Sequence, residues 1–242
     1  MTTIAQQIAD LIGADNVLTP EALSPDFKTV LESASQPPPE AIAYPTTVEE
    51  LSEVVSYAAT HRWAMMPFGS GSKLAWGGRA NQSQLAISTA KLNRVIDHAA
   101  GDLTVTAEAG VRFADLQAQL ATERQFLAIA PHYAAQATLG GIVSTANTGS
   151  IRQRYGGIRD MLIGLSFLRW DGQIAKAGGR VVKNVAGYDL MKLLTGAYGS
   201  LGIITQLTFR LYPLPDASAT VVTTGDAQAI ADLTQHILLS SL

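Results

Sequence analysis

One stretch constrains this chain more than any other. Pro67-Phe-Gly-Ser-Gly-Ser-Lys-Leu-Ala-Trp-Gly-Gly78 holds four glycines, two serines and a lysine, and the apolar run Trp63–Pro67 leads into it. Glycine reaches backbone angles closed to other residues and lets a ligand approach the main chain. Successive N–H groups in such a turn form an anion-binding nest. Two readings stand: a loop wrapped around a phosphate or pyrophosphate, or a glycine-rich surface turn. The stretch fails both common phosphate patterns. Gly69-Ser-Gly71 starts a GxGxxG, but Leu74 stands where the third glycine belongs, and Trp76-Gly77-Gly78 leaves no helix start for a Rossmann pyrophosphate. Gly71-Ser-Lys73-Leu74 misses the GxxxxGK[ST] spacing. A nest of loop amides without a helix remains.

Composition narrows what surrounds the loop. The chain has 242 residues and is 47% hydrophobic, enough for one large domain or two lobes. A net charge of −3 offers no basic excess for a nucleic-acid backbone. The chain has no cysteine, so it supplies no disulfide, thiolate ligand or cysteine nucleophile. Its histidines, His61, His98, His132 and His236, form no ligand pair, so no metal site is expected. Ser70 and Ser72 lack the GxSxG elbow of a nucleophilic serine. No basic leader and no long apolar run stand out, so a cytoplasmic protein without a transmembrane segment is the expectation.

The order of elements predicts an α+β chain. Ile4, Ile8, Leu11 and Ile12 have helical spacing. Residues 14–40 read as irregular, ending in Pro37-Pro-Pro39. Residues 1–40 are thus a helix and connector. A first lobe, 41–101, runs through strand 41–44, a helix capped by Thr46 or Thr47 with the apolar face Leu51, Val54, Val55 and Ala58, and strands at 63–67, 85–88 and 94–97. A second lobe, 102–215, starts with the alternating strand 103–108 and a helix over 113–123. A second glycine-rich stretch, Thr138–Gly149, follows. Trp170-Asp171-Gly172 then joins strands 161–169 and 173–177 as a hairpin, and strand 203–211 closes the lobe. Residues 216–242 hold a strand candidate at 219–223 and a helix over 227–239, which either pack on the second lobe or start a further domain. Several glycine-rich loops in two lobes suggest a long ligand between them, such as a dinucleotide.

Five segments carry a resemblance. Tyr44-Pro-Thr-Thr-Val-Glu-Glu-Leu51, Pro67–Gly78, Thr138-Leu-Gly-Gly-Ile-Val-Ser-Thr145, Tyr155-Gly-Gly-Ile-Arg-Asp160 and Gly199-Ser-Leu-Gly-Ile-Ile-Thr205 occur in this order. Together they resemble the FAD-binding domain of the vanillyl-alcohol oxidase, or p-cresol methylhydroxylase, family. The run Lys183-Asn-Val-Ala-Gly-Tyr-Asp-Leu190 resembles the 2-hydroxyacid dehydrogenase branch, and its Lys-Asn pair the smaller FAD-binding subunit of glycolate oxidase.

The resemblance implies two α/β lobes clasping FAD, with the start of a C-terminal cap domain near Asp216. It assigns the pyrophosphate to Pro67, Phe68, Gly69, Ser70, Gly71, Ser72, Lys73 and Leu74. It assigns the flavin and pyrophosphate wall to Pro131, Thr138, Leu139, Gly140, Gly141, Ser144, Thr145, Gly149 and Tyr155, and the adenine to Ile203 and Ile204. No histidine lies in Pro67–Gly78, so non-covalent FAD is expected. Lys73 is either a solvated lysine or a cation near the diphosphate. Lys183 either caps the following helix region or it, or Arg180, approaches the flavin N1–C2=O edge. His132 is either an active-site group or, the better reading, a packed histidine. Tyr188 reads as buried, and Trp63, Trp76 and Trp170 as packing. The implied activity is oxidation of a 2-hydroxy acid such as glycolate to glyoxylate. Electrons would pass to partners, a larger flavin subunit and an iron–sulfur subunit, through which peripheral membrane association would arise. Two other readings are a stand-alone FAD oxidase of another alcohol and a cofactor-free scaffold subunit.

Overall fold

The computed structural model describes residues 2–179 and 188–240. Its architecture is α+β, with two main sheets and two short two-stranded ones. The first sheet has the order Val17–Leu18, Ala41–Ala43, Leu85–Ser88, Met65–Phe68, and its last three strands run parallel. The helix Val48–Thr60 makes the crossover. Thr47 Oγ1 accepts the Glu50 N–H, and the Glu50 carboxylate accepts the Thr46 N–H (2.6 Å), so both threonines close the helix start. Leu51, Val54, Val55 and Ala58 are buried as their spacing predicts. Ile4, Ile8 and Ile12 of the N-terminal helix pack into the same core.

The second sheet is antiparallel, in the order Ile174–Gly178, Leu162–Leu168, Ile203–Arg210, Thr104–Glu108, Val95–Ala99. The central strand, Ile203–Arg210, is buried on both faces, with only Gln206 and Arg210 partly exposed, although half of its residues are polar. Its polar Thr208 is satisfied across the sheet by Thr106 (Oγ1 to Oγ1, 3.0 Å). Helix Phe113–Ala121 buries Phe113, Leu116 and Leu120 against this sheet. The two sheets share a core, because Leu168 and Ile203 of the second pack among Leu51, Leu85 and Ile87 of the first. The Trp170-Asp171-Gly172 hairpin forms and docks on the first lobe: Ser52 Oγ donates to Gly172 O (2.8 Å) and Ser56 Oγ to Asp171 O (3.2 Å).

Several expectations are corrected. Residues 14–40 are not irregular, since Pro25–Ala34 is a helix. Ser24 Oγ caps it, Pro25 supplies a ready-made φ at its first position, and Leu31 and Ala34 bury against Ile42, Met66 and Ala86. Strand 94–97 does not stay in the first lobe. Val95–Ala99 pairs with Thr104–Glu108, the nearest strand in the chain, through a short turn at Ala100–Asp102. Residues 219–223 form no strand, and Val221 and Val222 are exposed with no pairing partner among the described residues. The helix Ala227–Leu239 forms, but none of its residues is buried. Tyr188, expected to be buried, is 93% exposed, and Trp170 is exposed as well. Among the described residues, no helix is long and apolar enough to cross a membrane.

Candidate functional site

The strand Met65–Phe68 ends in the glycine loop, and neighbouring groups pin the loop's entry. Thr89 N–H donates to Phe68 O (2.9 Å) and Ser88 Oγ to Gly69 O (2.8 Å). Two overlapping turns follow, Leu74 N–H to Gly71 O (3.2 Å) and Trp76 N–H to Lys73 O (3.1 Å). Gly71 sits at φ +82°, inside the left-handed region that favours glycine. The N–H groups of Ser70, Gly71, Ser72 and Lys73 find no acceptor among the described residues. Four consecutive open donors at a parallel strand's carboxyl end make a nest for an anion.

The second glycine-rich stretch does something else. Leu139–Ser144 is a helix, not a loop. Its first-turn donors are already used: Leu139 N–H on Val111 O (2.9 Å), Gly140 N–H on Ala109 O (2.8 Å) and Gly141 N–H on the cap, Thr138 Oγ1 (3.3 Å). This stretch is therefore a wall and not a donor array. It touches the loop at Gly69, where a Cβ would overlap Thr138 Oγ1. A third stretch closes the space. Tyr198 N–H donates to Ser144 O (2.9 Å), and Gly199 approaches Pro67 so closely that a Cβ there would lie 2.6 Å from its Cγ.

These stretches line a cavity of about 340 Å³. Of the residues read from the sequence, it is lined by Pro67, Phe68, Gly69, Ser70, Gly71, Ser72, Lys73, Leu74, Thr138, Gly140, Gly141, Ser144, Thr145, Ile203 and Ile204. Four do not line it. Leu139 is buried in the second-lobe core. Tyr155 stacks edge-on against Phe126 and Tyr212. Pro131 and Gly149 also lie off this lining, Gly149 against Ala130 O. The reading of the sequence missed Arg79, Tyr198, Gly199, Ser200 and Gly202, which also line the cavity. Gly199-Ser-Leu-Gly202 was a visible signal, but only its downstream isoleucines were assigned.

Lys73 is the electrostatic centre of the cavity. It is only 8% exposed, and its Nζ is buried without a hydrogen-bond partner among the described residues. Its Nζ lies 6.0 Å from the centroid of the Trp76 ring. Burial lowers its pKa from 10.5 to about 8. A solvated surface lysine would show neither property, so that reading is set aside.

His132 is exposed, not packed. Its backbone N–H donates to Asn147 Oδ1 (2.7 Å), which fixes the amide's orientation and leaves Asn147 Nδ2 to donate to His132 Nδ1 (3.0 Å). A neutral His132 then carries its proton on Nε2. Its ring meets the Trp76 ring edge-on at 5.5 Å, so it stands beside the glycine loop without lining the cavity. Lys183 and Arg180 lie outside the described residues. No cluster of three metal-ligating side chains occurs among the described residues.

A partly buried loop with four open amides and one unpaired ammonium fits a diphosphate, and the comparisons agree in kind. The FAD binding domain family matches residues 39–178. The chain belongs to that family. It is 34% identical over 205 residues to a probable mitochondrial D-lactate dehydrogenase of Danio rerio, covering 83% of this chain and 41% of that protein. It is 32% identical over 171 residues to the glycolate oxidase subunit GlcE of Escherichia coli, covering 70% of this chain and 48% of that subunit. The chain thus spans less than half the length of these curated relatives. A solved alkyldihydroxyacetonephosphate synthase superposes with a TM-score of 0.65 at 24% identity, over 74% of this chain and 32% of that one, and so shares its fold.

Proposed function

We propose that this chain holds FAD non-covalently, with the diphosphate on the amides of residues 70–73 and on Lys73. We further propose that it serves the oxidation of a 2-hydroxy acid such as glycolate, in a complex that carries the electrons onward. The observation that carries the first part is the row of four open N–H groups beside an unpartnered buried ammonium. A negative diphosphate satisfies all five at once. The second part rests on similarity to a D-lactate dehydrogenase and to a glycolate oxidase subunit. When bound, FAD supplies the two-electron acceptor, and the protein's part is to bind, orient and tune it. The glycine loop anchors the cofactor's middle. Ile203 and Ile204 offer an apolar floor suited to a ring system, and the Thr138–Thr145 segment a wall.

The partners in this reading are a larger flavin subunit and an iron–sulfur subunit, and the location is the cytoplasm, both open to co-purification and fractionation. Purified chain mixed with FAD and desalted should keep a flavin absorption band, and acid precipitation should release all of it. Glycolate or D-lactate should bleach that band without oxygen when the partner subunits are present. Protein that stays colourless would favour a cofactor-free scaffold. Bleaching by simple alcohols without partners would favour a stand-alone oxidase.

A further inference from the structure

Lys73 is unusual in what surrounds it. Two buried side-chain nitrogens lack a partner among the described residues, Lys73 Nζ and Arg210 Nε. Arg210 still donates through Nη2 to Tyr212 Oη (2.7 Å), so Lys73 is the buried cation with no compensating bond. Among the described residues, no carboxylate lines its cavity. The other titratable groups there are Arg79, held on Ser33 O (3.2 Å) and Gln36, and Tyr198. His132 stands beyond the Trp76 ring. Asp26, Lys28 and Glu32 of the neighbouring helix are exposed to solvent. Arg94, Arg112 and Asp115 line a second hollow, which shares Phe68–Ser70 and Thr138 with this cavity, and none of the three lines the cavity itself. The protein thus places an amine in a low-dielectric pocket and supplies no anion to keep it charged. Beside it lie open amides that call for an anion.

We propose that Lys73 is a proton-coupled receptor for the diphosphate, so that cofactor binding recharges its amine with a proton taken from solvent. This rests on the FAD reading and deepens it. Burial alone holds Lys73 at a pKa of about 8, and a diphosphate beside Nζ returns it toward its ordinary 10.5. Below pH 8 the amine is charged before and after binding, so no proton moves. Between the two values, the acid form of the buffer gives one proton to the neutral amine as the fully ionised diphosphate enters. The apparent affinity then falls as pH rises through this window, by about tenfold between pH 7 and pH 9. A fixed cation would show no such fall.

Calorimetric titration of the chain with FAD, in buffers of different ionisation enthalpy, reads the proton count directly. The wild type should take up almost no proton at pH 7 and close to one at pH 9. Lys73→Met should take up none, bind at least about tenfold more weakly at pH 7, and show a flat pH profile. Its unliganded form should melt at a higher temperature than the wild type, because it loses an uncompensated buried charge. A merely structural lysine would lower both melting temperature and affinity. Lys73→Arg should restore affinity at pH 9 with no proton uptake, since its charge does not titrate there. Wild-type binding without proton uptake at pH 9, or Lys73→Met binding as tightly as wild type, overturns the inference and leaves the FAD reading standing. Wild type that binds no FAD at any pH overturns both.

Discussion

Two glycine-rich stretches meet in this cavity, and they use glycine for opposite purposes. In Phe68–Leu74 the glycines let the backbone turn without spending its amides, and four N–H groups stay open. In Thr138–Thr145 the glycines let a short helix sit against Ala109, and its amides are spent on Val111, Ala109 and its own cap. The first stretch is built to receive a ligand. The second is built to hold the first in place. Glycine content alone would rank them equal, and the destination of each N–H separates them.

The sharpest way to break this contrast is at Gly69. A valine there overlaps Thr138 Oγ1 and displaces the loop, so FAD affinity should fall about hundredfold, roughly 2.8 kcal/mol, in a flavin-fluorescence titration. Gly69→Ala combined with Thr138→Ala removes the atom in the way, so the pair should bind better than Gly69→Ala alone.

The matching change in the second stretch should strike stability instead. At Gly140 a Cβ meets the Ala109 Cβ at 2.9 Å and its carbonyl oxygen at 3.1 Å. Gly140→Val should therefore destabilise the fold by about 1–3 kcal/mol, with a lower denaturation midpoint. An equal loss of FAD affinity at constant stability would erase the proposed division of labour.

A smaller effect concerns pH. Folding lowers the Lys73 pKa from 10.5 to about 8, so between these values the unfolded chain binds the extra proton. The cost of the buried charge is constant below pH 8 and fades as pH rises toward 10.5. The melting-temperature advantage of Lys73→Met over wild type, without FAD, should accordingly be largest near neutral pH and shrink in alkaline buffer. Smallest of all, Thr138→Ala removes one helix cap, for about 1 kcal/mol or about 2–4 °C in melting temperature. It should leave FAD affinity within a few fold.

Much of this was legible in the chain. The helix 48–60 announced itself through two threonines, two glutamates and an apolar stripe, and the Asp171-Gly172 hairpin through its turn chemistry. The strand Val95–Ala99 was visible as a strand but not as a member of the second sheet, because pairing is a property of two segments and local pattern reports only one. The helix Pro25–Ala34 was overlooked beneath the proline run that follows it, although Ser24-Pro25 is a regular helix start. The tail at 219–223 has the residues of a strand but, among the described residues, no neighbour to pair with. At the site, the resemblance assigns Tyr155 to the wall. Its ring instead joins Phe126 and Tyr212, segments far away in the chain.

The sequence by itself determined the local chemistry. It supplied a loop able to turn on glycine and to offer its amides, a lysine within that loop, and no histidine or cysteine there to bond a cofactor covalently. Only the tertiary structure decided which amides stay open and whether the lysine is wet or dry. Those outcomes depend on segments far along the chain, Thr138 against Gly69 and Gly199 against Pro67. Burial and hydrogen-bond satisfaction are set by what packs around a group, and a linear pattern carries no record of that.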